Sequence, residues 1–334
     1  MPIAKAMDKL IEMVDSRMRG ELFRKMRYYK LAKRSPEWPY SENSIQAFAC
    51  QMAKLVPWAY YFTSISVKAK RRKLLDNIYE LLCDRYTLAE DKSLFSFSGI
   101  VLPKPATLVD KRILVWELFD LLAPLLIKSD SLCFAVYDEG PYELGNVKID
   151  SGDIIIDCGA NMGLFSAIAS NKGAISYAFE PFEYVIETYL LKTAECNPNI
   201  NICNYALLDR EGQLTFSQDS ELHTVGKITN LAKTEGETPE AVGNTEVLVQ
   251  ATTLDAYVEK NNIPRVDFIK ADIEGAERYM LRGSMKVLER FAPKLAICTY
   301  HLPDDPKVLR EIILEANPNY VISEQFKKMY AYVP

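Results

Sequence analysis

Apolar residues recur three and four positions apart through the first part of the chain, the spacing of a helix with one buried face. This spacing predicts helices at residues 4–33, 45–59, 69–88 and 111–126. We therefore interpret residues 1–130 as an N-terminal helical domain. Such a domain either closes over a substrate as a lid, packs on the rest of the chain, or mediates formation of a homodimer.

From residue 131 to residue 334 the pattern changes to short apolar runs that alternate with helical stretches. Strands are predicted at residues 153–157, 175–179, 200–206, 213–217, 246–251, 266–271, 295–300, 320–323 and 329–333. Helices are predicted at residues 164–169, 182–196, 253–260, 276–288 and 307–316, with a long polar loop at 218–245. This alternation predicts an α/β domain with a largely parallel sheet.

Residues 153–166, with the sequence DIIIDCGANMGLFS, combine a buried strand, a glycine turn and the start of a helix. In an open α/β sheet such a turn lies at the carboxyl end of a strand, which is where ligands bind. Gly159 and Gly163 allow backbone to approach a ligand that side chains would block. The sequence therefore predicts a small-molecule site at this turn.

The residues around the turn indicate which small molecule binds. A dinucleotide fingerprint needs glycine at its second and third positions, and counting from Gly159 these positions hold Asn161 and Leu164. Glu180 follows the next predicted strand, where a carboxylate accepts hydrogen bonds from both hydroxyls of a ribose. A ribose without a pyrophosphate indicates S-adenosylmethionine as the cofactor.

Four runs of sequence resemble the FkbM family of S-adenosylmethionine-dependent methyltransferases. They are IIIDCGANMG at 154–163, FEP at 179–181, DFIKADIEGAE at 267–277 and CTYHLPDD at 298–305. The resemblance covers about residues 140–310, and IKADIEGAE is its most specific part. It implies a class I methyltransferase fold, Rossmann-like, with a mostly parallel seven-stranded sheet whose last strand is antiparallel. It also implies methyl transfer to an oxygen, often of a sugar or a small metabolite.

The strand ends and the resemblance together predict the residues that hold the cofactor. They are Tyr142, Asp157, Gly159, Ala160, Asn161, Gly163, Phe165, Glu180, Pro181, Ala206, Leu207 and Asp272. Ala206 and Leu207 lie at the end of the third predicted strand, where class I methyltransferases resemble one another in packing the adenine ring. Glu180 is assigned to the ribose.

Asp272, Glu274 and His301 are the predicted catalytic residues, because all three follow strands of the sheet. A hydroxyl acceptor must lose its proton as its oxygen takes the methyl group, and an ordinary histidine, with a pKa of about 6.5, is the best base at neutral pH. Glu274 is the alternative base, or orients His301, or binds substrate hydroxyls. Asp272 holds the cofactor's amino group or the acceptor. These side chains can also hold a divalent metal, but acids are common at turns and helix starts, and no metal is assigned.

Composition and cysteine usage favour a soluble cytoplasmic protein. Hydrophobic residues make up 49% of the chain and charged residues 25%, and no secretory signal is recognised. The longest uncharged run near the amino end, residues 55–67, is shorter than the roughly 20 apolar residues that cross a bilayer. The seven cysteines form no C-x-x-C pair, which favours reduced core residues.

Charge is distributed unevenly along the chain. Residues 1–75 contain 16 Lys or Arg and 6 Asp or Glu, although the whole chain carries a net charge of −5. This asymmetry can signal an anionic partner, but the densest basic run, residues 68–73, has no interleaved aromatic residues. The pattern therefore favours solvated faces of amphipathic helices over a nucleic-acid site.

The methyl acceptor is expected to be a small molecule or a glycan, and the sequence is compatible with sugars, polyketides, peptides and lipid-linked glycans. Two other functions remain open. One is a non-catalytic module that binds S-adenosylmethionine and contacts RNA or another partner through its basic N-terminal region. The other, a nicotinamide-dependent oxidoreductase, is disfavoured by Asn161 and Leu164.

Overall fold

The computed structural model describes residues 76, 79–80, 82–84, 86–97, 99–115, 117–118, 141–219, 226–228, 244–325 and 327–334. The predicted helices at 4–33 and 45–59 lie outside these residues, as do the basic segment 1–75 and the predicted domain boundary near residue 130. The division into two domains therefore stays a prediction. No helix within the described residues is long and apolar enough to cross a bilayer.

The described strands are β1 Leu94–Phe97, β2 Ile100–Pro103, β3 Ile154–Cys158, β4 Ile175–Phe179, β5 Ile200–Cys203, β6 Ala206–Leu207, β7 Gly212–Asp219, β8 Gly226–Ile228, β9 Asn244–Thr252, β10 Phe268–Ala271, β11 Lys294–Cys298, β12 Val321–Gln325 and β13 Lys328–Tyr332. Seven of them form one sheet in the order β12-β13-β11-β10-β3-β4-β5. Neighbouring strands are parallel except at β13, which is antiparallel to both β11 and β12. This confirms the predicted Rossmann-like, mostly parallel sheet with an antiparallel last strand.

Helices cover both faces of this sheet. They are α1 Leu164–Asn171, α2 Glu183–Val185 continuing through Ile186–Leu190 to Leu191–Cys196, α3 Leu254–Lys260, α4 Glu277–Arg282, α5 Met285–Phe291 and α6 Asp305–Ala316. All five residues of β3 are buried, and Ile154 and Ile156 pack with α3, α4, α5 and α6 while Ile155 packs with α1. Burial on both faces explains why this strand is a continuous apolar run.

The predicted helix at 276–288 is two helices, α4 and α5, separated at Gly283. A Cβ at this position would lie 1.9 Å from the backbone oxygen of Leu208, so only glycine allows the two backbone segments to approach this closely. The predicted start of α3 is confirmed, because the Thr253 hydroxyl accepts a hydrogen bond of 3.0 Å from the backbone N–H of Ala256.

The predicted third strand at 200–206 is also two elements. β5 ends at Cys203, and β6 joins a second sheet of four strands in the order β6-β9-β7-β8. In that sheet Ala206 pairs in parallel with Ala251 of β9, which draws the chain away from the central sheet after Tyr205. The stretch at 218–245 was predicted to be a loop, but its two ends belong to β7 and β9, and β8 lies within it.

The described part of the N-terminal region packs on helix α2. It contains helical residues 108–115 and the antiparallel hairpin of β1 and β2. The hairpin was not predicted, because only helices were predicted in this region. The Asn197 side chain bonds both backbone groups of Val101, at 3.1 Å from its N–H and 2.6 Å from its oxygen. The Tyr189 hydroxyl donates to Asp110 at 2.6 Å.

Candidate functional site

The turn after β3 is shaped by residues in left-handed backbone conformations. Gly159 has φ 75°, Asn161 has φ 51° and Gly163 has φ 84°. A Cβ on Gly159 would lie 2.2 Å from the backbone oxygen of Asp272, and one on Gly163 would lie 2.6 Å from the Leu190 side chain. The two glycines are thus needed for close contact with neighbouring protein, a role that the sequence argument, based on contact with a ligand, did not include.

Asp157 lies behind this turn and supports it. Its side chain is fully buried and forms an ion pair of 3.0 Å with Lys270 of β10. The Ser166 hydroxyl donates to Asp157 at 2.7 Å, and the Lys270 ammonium donates to the backbone oxygen of Gly159 at 2.6 Å. Burial favours the neutral amine, but the charges of Asp157 and Asp272 raise the pKa of Lys270 above its ordinary value.

Removing Lys270 should therefore destabilise the protein strongly. We expect Lys270→Met to lower the free energy of unfolding by about 3–5 kcal/mol, because it leaves the Asp157 carboxylate buried and unpaired. Urea denaturation measures the change. As a control, Arg310→Met removes the surface pair with Glu324, whose two side chains are 41% and 39% exposed, and should cost less than about 1 kcal/mol. Equal losses in the two variants would contradict the structural role given to Lys270.

Glu180 follows β4 and is held in one orientation by the backbone. Its Oε2 accepts a hydrogen bond of 3.0 Å from the N–H of Asn161, and its Oε1 accepts one of 3.0 Å from the N–H of Phe182. Burial raises the pKa of Glu180 to about 7, although both backbone bonds and the charge of Lys270 act in the opposite direction. Each carboxylate oxygen keeps a further lone pair for another donor.

A cleft opens beside Glu180 and extends to Asp272 and Glu274. Of the predicted site residues, those that line it are Gly159, Glu180, Pro181, Ala206, Leu207, Asp272 and Glu274. Those that do not line it are Tyr142, Asp157, Ala160, Asn161, Gly163, Phe165 and His301. The other lining residues were not predicted as site residues; they are Cys158, Phe179, Phe182, Tyr205, Leu208, Phe216, Ile273 and Ala276. Phe182 and Phe216 pack edge to face with ring centres 5.5 Å apart.

Asp272 connects the cleft to a cluster of ionisable side chains. The Tyr142 hydroxyl donates to its Oδ2 at 2.8 Å, and the Tyr300 hydroxyl donates to its Oδ1 at 3.3 Å. Burial alone would raise the pKa of Asp272, but Lys270, Lys328, His301 and the bond from Tyr142 together lower it. Asp272 therefore remains ionised at neutral pH.

His301 lies among three carboxylates. Its Nδ1 is 2.9 Å from Oε1 of Glu277, while its Nε2 is 3.6 Å from Oδ1 of Asp272 and 3.7 Å from Oε2 of Glu274. Burial opposes a charge on the imidazole, but the bond and charge of Glu277 and the charges of Asp272 and Glu274 raise the pKa of His301 to about 9. The value of about 6.5 used in the sequence argument omits these neighbours.

Glu277 was not predicted as a site residue, although it ends the run DFIKADIEGAE. It is fully buried at the start of α4, and its two oxygens also accept hydrogen bonds from the backbone N–H groups of Ile273, at 2.9 Å, and Gly275, at 3.1 Å. These bonds fix the turn that carries Glu274. Glu274 itself has φ 56°, a conformation that L-residues rarely adopt and that is concentrated at functional sites.

The site gathers four of the predicted strand-end residues. Glu180 lies at the end of β4, Asp272 and Glu274 follow β10, and His301 follows β11. Their arrangement provides acceptors for hydroxyl groups, an apolar wall, and proton-transfer groups beside the cleft. It can bind a hydroxylated small molecule that also has an apolar face.

Solved structures with a similar chain path include the methyltransferase FkbM from Methylobacillus flagellatus, with 17% identity over 79% of this chain and 60% of that chain and a TM-score of 0.42. Another is the Methanococcus jannaschii fibrillarin pre-rRNA processing protein, with 16% identity over 57% of this chain and 69% of that chain and a TM-score of 0.33. These scores are low, so the fold is identified by its strand order.

A curated relative is the hexuronic acid methyltransferase AglP of Haloferax volcanii, which is 25% identical over 169 residues. The match covers 51% of this chain and 64% of AglP, somewhat less than two thirds of that protein. The model of the methyltransferase FkbM domain matches residues 157–333, which include β4, β10, β11 and the ionisable cluster. The chain therefore belongs to the FkbM methyltransferase family.

Proposed function

We propose that this protein uses S-adenosylmethionine to methylate a hydroxyl oxygen of a sugar or another small hydroxylated metabolite. The observation that carries the proposal is the Glu180 carboxylate, which lines a cleft that also reaches Asp272 and Glu274. A ribose diol needs a pair of acceptors, and the two oxygens of Glu180 are held ready by backbone bonds from Asn161 and Phe182.

The cofactor fits the polar and apolar groups of the cleft. Glu180 would accept hydrogen bonds from the ribose hydroxyls, and Ala206 and Leu207 with Phe182 would cover the adenine ring. Asn161 does not line the cleft, but its Oδ1 is buried without a hydrogen-bond partner among the described residues, and a cofactor that extends from Glu180 along the glycine turn would supply a donor to it. The cofactor supplies a methyl group on a positively charged sulfur.

The ionisable cluster would receive the acceptor. In the transfer, the acceptor oxygen forms a bond to the methyl carbon as the bond from carbon to sulfur breaks, and the hydroxyl proton passes to a base. Glu274 and His301 stay the predicted proton acceptors, since Glu274 lines the cleft and His301 Nε2 lies 3.7 Å from Glu274 Oε2. Because its carboxylate neighbours raise the pKa of His301 to about 9, the imidazole is mostly protonated at neutral pH and accepts a proton only in its minor neutral form, whereas the Glu274 carboxylate can accept one directly. Asp272, fixed by Tyr142, would orient the acceptor or the cofactor.

A sugar acid is the acceptor class to test first, since the relative AglP is a hexuronic acid methyltransferase. A cytoplasmic location also stays a proposal; the described cysteines Cys83, Cys158, Cys196, Cys203 and Cys298 are free. Dimer formation through the N-terminal helices is a further proposal. The residues that would form that interface lie outside the described part of the chain.

Binding and transfer are tested on the full chain. S-adenosylhomocysteine at 100 times its dissociation constant should stabilise the protein by about 2.7 kcal/mol, whereas NAD⁺ should not. Incubation with labelled S-adenosylmethionine and uronic acid glycans, followed by mass spectrometry, should find a methyl ether on a sugar. Stabilisation by NAD⁺ alone would support the oxidoreductase instead, and cofactor binding without transfer to any extract component would support a non-catalytic module.

A further inference from the structure

The cluster beside the cleft holds more negative than positive charge. The carboxylates of Asp157, Asp272, Glu274 and Glu277 share it with the ammonium groups of Lys270 and Lys328. Four carboxylates and two ammonium groups leave an excess of two negative charges, and a protonated imidazole of His301 reduces that excess to one. Buried charge of one sign is costly unless a partner of the opposite sign compensates it.

His301 supplies the second feature, an unused nitrogen directed into this cluster. Its side chain is 8% exposed, and among the described residues Nε2 has no hydrogen-bond partner. Two carboxylate oxygens are close to Nε2 but beyond that distance, at 3.6 and 3.7 Å. A buried nitrogen that misses two acceptors in this way indicates that something lies between them.

We propose that a divalent metal ion binds at this point, coordinated by Asp272 Oδ1, Glu274 Oε2 and His301 Nε2. Two ligand atoms that are each about 2.1 Å from one ion can be at most about 4.2 Å apart, and both measured separations meet this limit. Two carboxylates and one imidazole suit ions such as Mn²⁺ or Mg²⁺ better than soft metals.

In this proposal Glu277 contacts the ligand His301 and does not contact the ion itself. Its Oε1 faces Nδ1 of His301 and the N–H of Ile273, and its Oε2 accepts from Gly275. A metal-binding histidine usually donates its other N–H to a carboxylate in this way, which fixes the tautomer with Nε2 free for the metal. Tyr142 orients Asp272 in a similar way, since it donates to Oδ2, while Oδ1 accepts a longer bond of 3.3 Å from Tyr300 and lies 3.6 Å from His301 Nε2.

The role of the ion rests on the proposed function, whereas its binding does not. A cation at this point would hold the acceptor hydroxyl and favour loss of its proton. The site also revises the sequence argument, which noted the same residue types and assigned no metal.

The test is a titration of the chelator-treated full chain with Mn²⁺, followed by electron paramagnetic resonance and calorimetry. We expect one saturable site per chain. His301→Asn keeps a donor near Nδ1 but removes Nε2, and both this variant and Asp272→Asn should weaken binding at least about 100-fold. Glu277→Gln should weaken it about 10- to 100-fold, as second-layer changes do. Glu311→Gln, at an exposed acid on α6, should leave binding unchanged.

Absence of saturable Mn²⁺, Mg²⁺ and Zn²⁺ binding in the wild-type chain would overturn the proposal. Retention of wild-type Mn²⁺ affinity in either His301→Asn or Asp272→Asn would do so as well. If one of these variants does not fold, Glu274→Gln replaces it, since the Glu274 side chain is 37% exposed. S-adenosylhomocysteine binding is measured in the same samples. Cofactor binding without metal binding refutes only the metal site, and the reverse result refutes only the proposed function.

Discussion

Glu180→Ala is expected to weaken S-adenosylhomocysteine binding about 100-fold. A hydrogen bond to a charged group contributes about 1.5–3 kcal/mol, and the variant removes the acceptors of two ribose hydroxyls. Calorimetry measures the loss. Glu187→Ala, at an exposed acid on the neighbouring helix α2, is the matched control and should bind like the wild type.

The same substitution leaves the N–H groups of Asn161 and Phe182 without their acceptor, so the fold must be checked by circular dichroism and urea denaturation. Glu180→Gln keeps one acceptor oxygen and should bind with intermediate affinity. A folded Glu180→Ala protein with unchanged affinity would show that the ribose is held elsewhere. The assignment of the cofactor to this cleft would then fail.

Lowering the pH should reproduce part of this loss in the wild-type chain. Because burial raises the pKa of Glu180 to about 7, the carboxyl group takes up a proton as the pH falls from 8 to 6 and loses acceptors for the diol. Asp157 and Lys270 are the charged groups that act on it in the free protein. Affinity for S-adenosylhomocysteine should therefore fall below pH 7, by at most about tenfold per pH unit. Glu180→Gln should remove most of this dependence.

Stability should respond to pH in the opposite direction. A carboxyl group whose pKa is higher in the folded than in the unfolded chain binds more protons when folded, between its ordinary value and about 7. Its contribution to stability is therefore present at low pH and lost as the pH rises through that window. Comparison of wild type with Glu180→Gln at pH 5 and pH 8 isolates this contribution from those of the other acids.

Sequence reasoning located the sheet accurately because buried parallel strands are short apolar runs. Strand β4 was predicted with its observed bounds, and β3 differs by one residue at each end. The hairpin of β1 and β2 was missed although Gly99 marks a turn, because the helical spacing on both sides dominated the interpretation. Local patterns identify an element best when a run is long and uniform.

The site was harder to predict. The end of a strand places a residue at one edge of the sheet but does not show toward which neighbours its side chain points. Asp157 was assigned to the cofactor, yet alternation along β3 turns it toward Lys270 behind the turn. Glu277 was missed for the converse reason: its role depends on His301, 24 positions later in the sequence, and no local pattern links the two. Its burial at the start of α4 becomes visible only in three dimensions.

His301→Asn should separate chemistry from cofactor binding. The asparagine amide can replace Nδ1 as the donor to Glu277, so the buried carboxylate keeps a partner and the fold is retained. The variant lacks Nε2, the atom that faces Asp272 and Glu274, whether that nitrogen accepts the acceptor's proton or binds a cation. S-adenosylhomocysteine affinity should stay within a few-fold of wild type, since His301 does not line the cofactor cleft.

Methyl transfer by the same variant should fall about 10²- to 10⁴-fold, the range expected when a positioned acid–base group is removed. Single-turnover assays with labelled S-adenosylmethionine measure the step directly, and parallel assays of Glu274→Gln compare the two predicted bases. A loss in kcat with little change in the KM for the cofactor would agree with action on the acceptor. Wild-type turnover in His301→Asn combined with a large loss in Glu274→Gln would move the base role to Glu274. Wild-type turnover in both variants would mean that the acceptor does not meet this cluster at all.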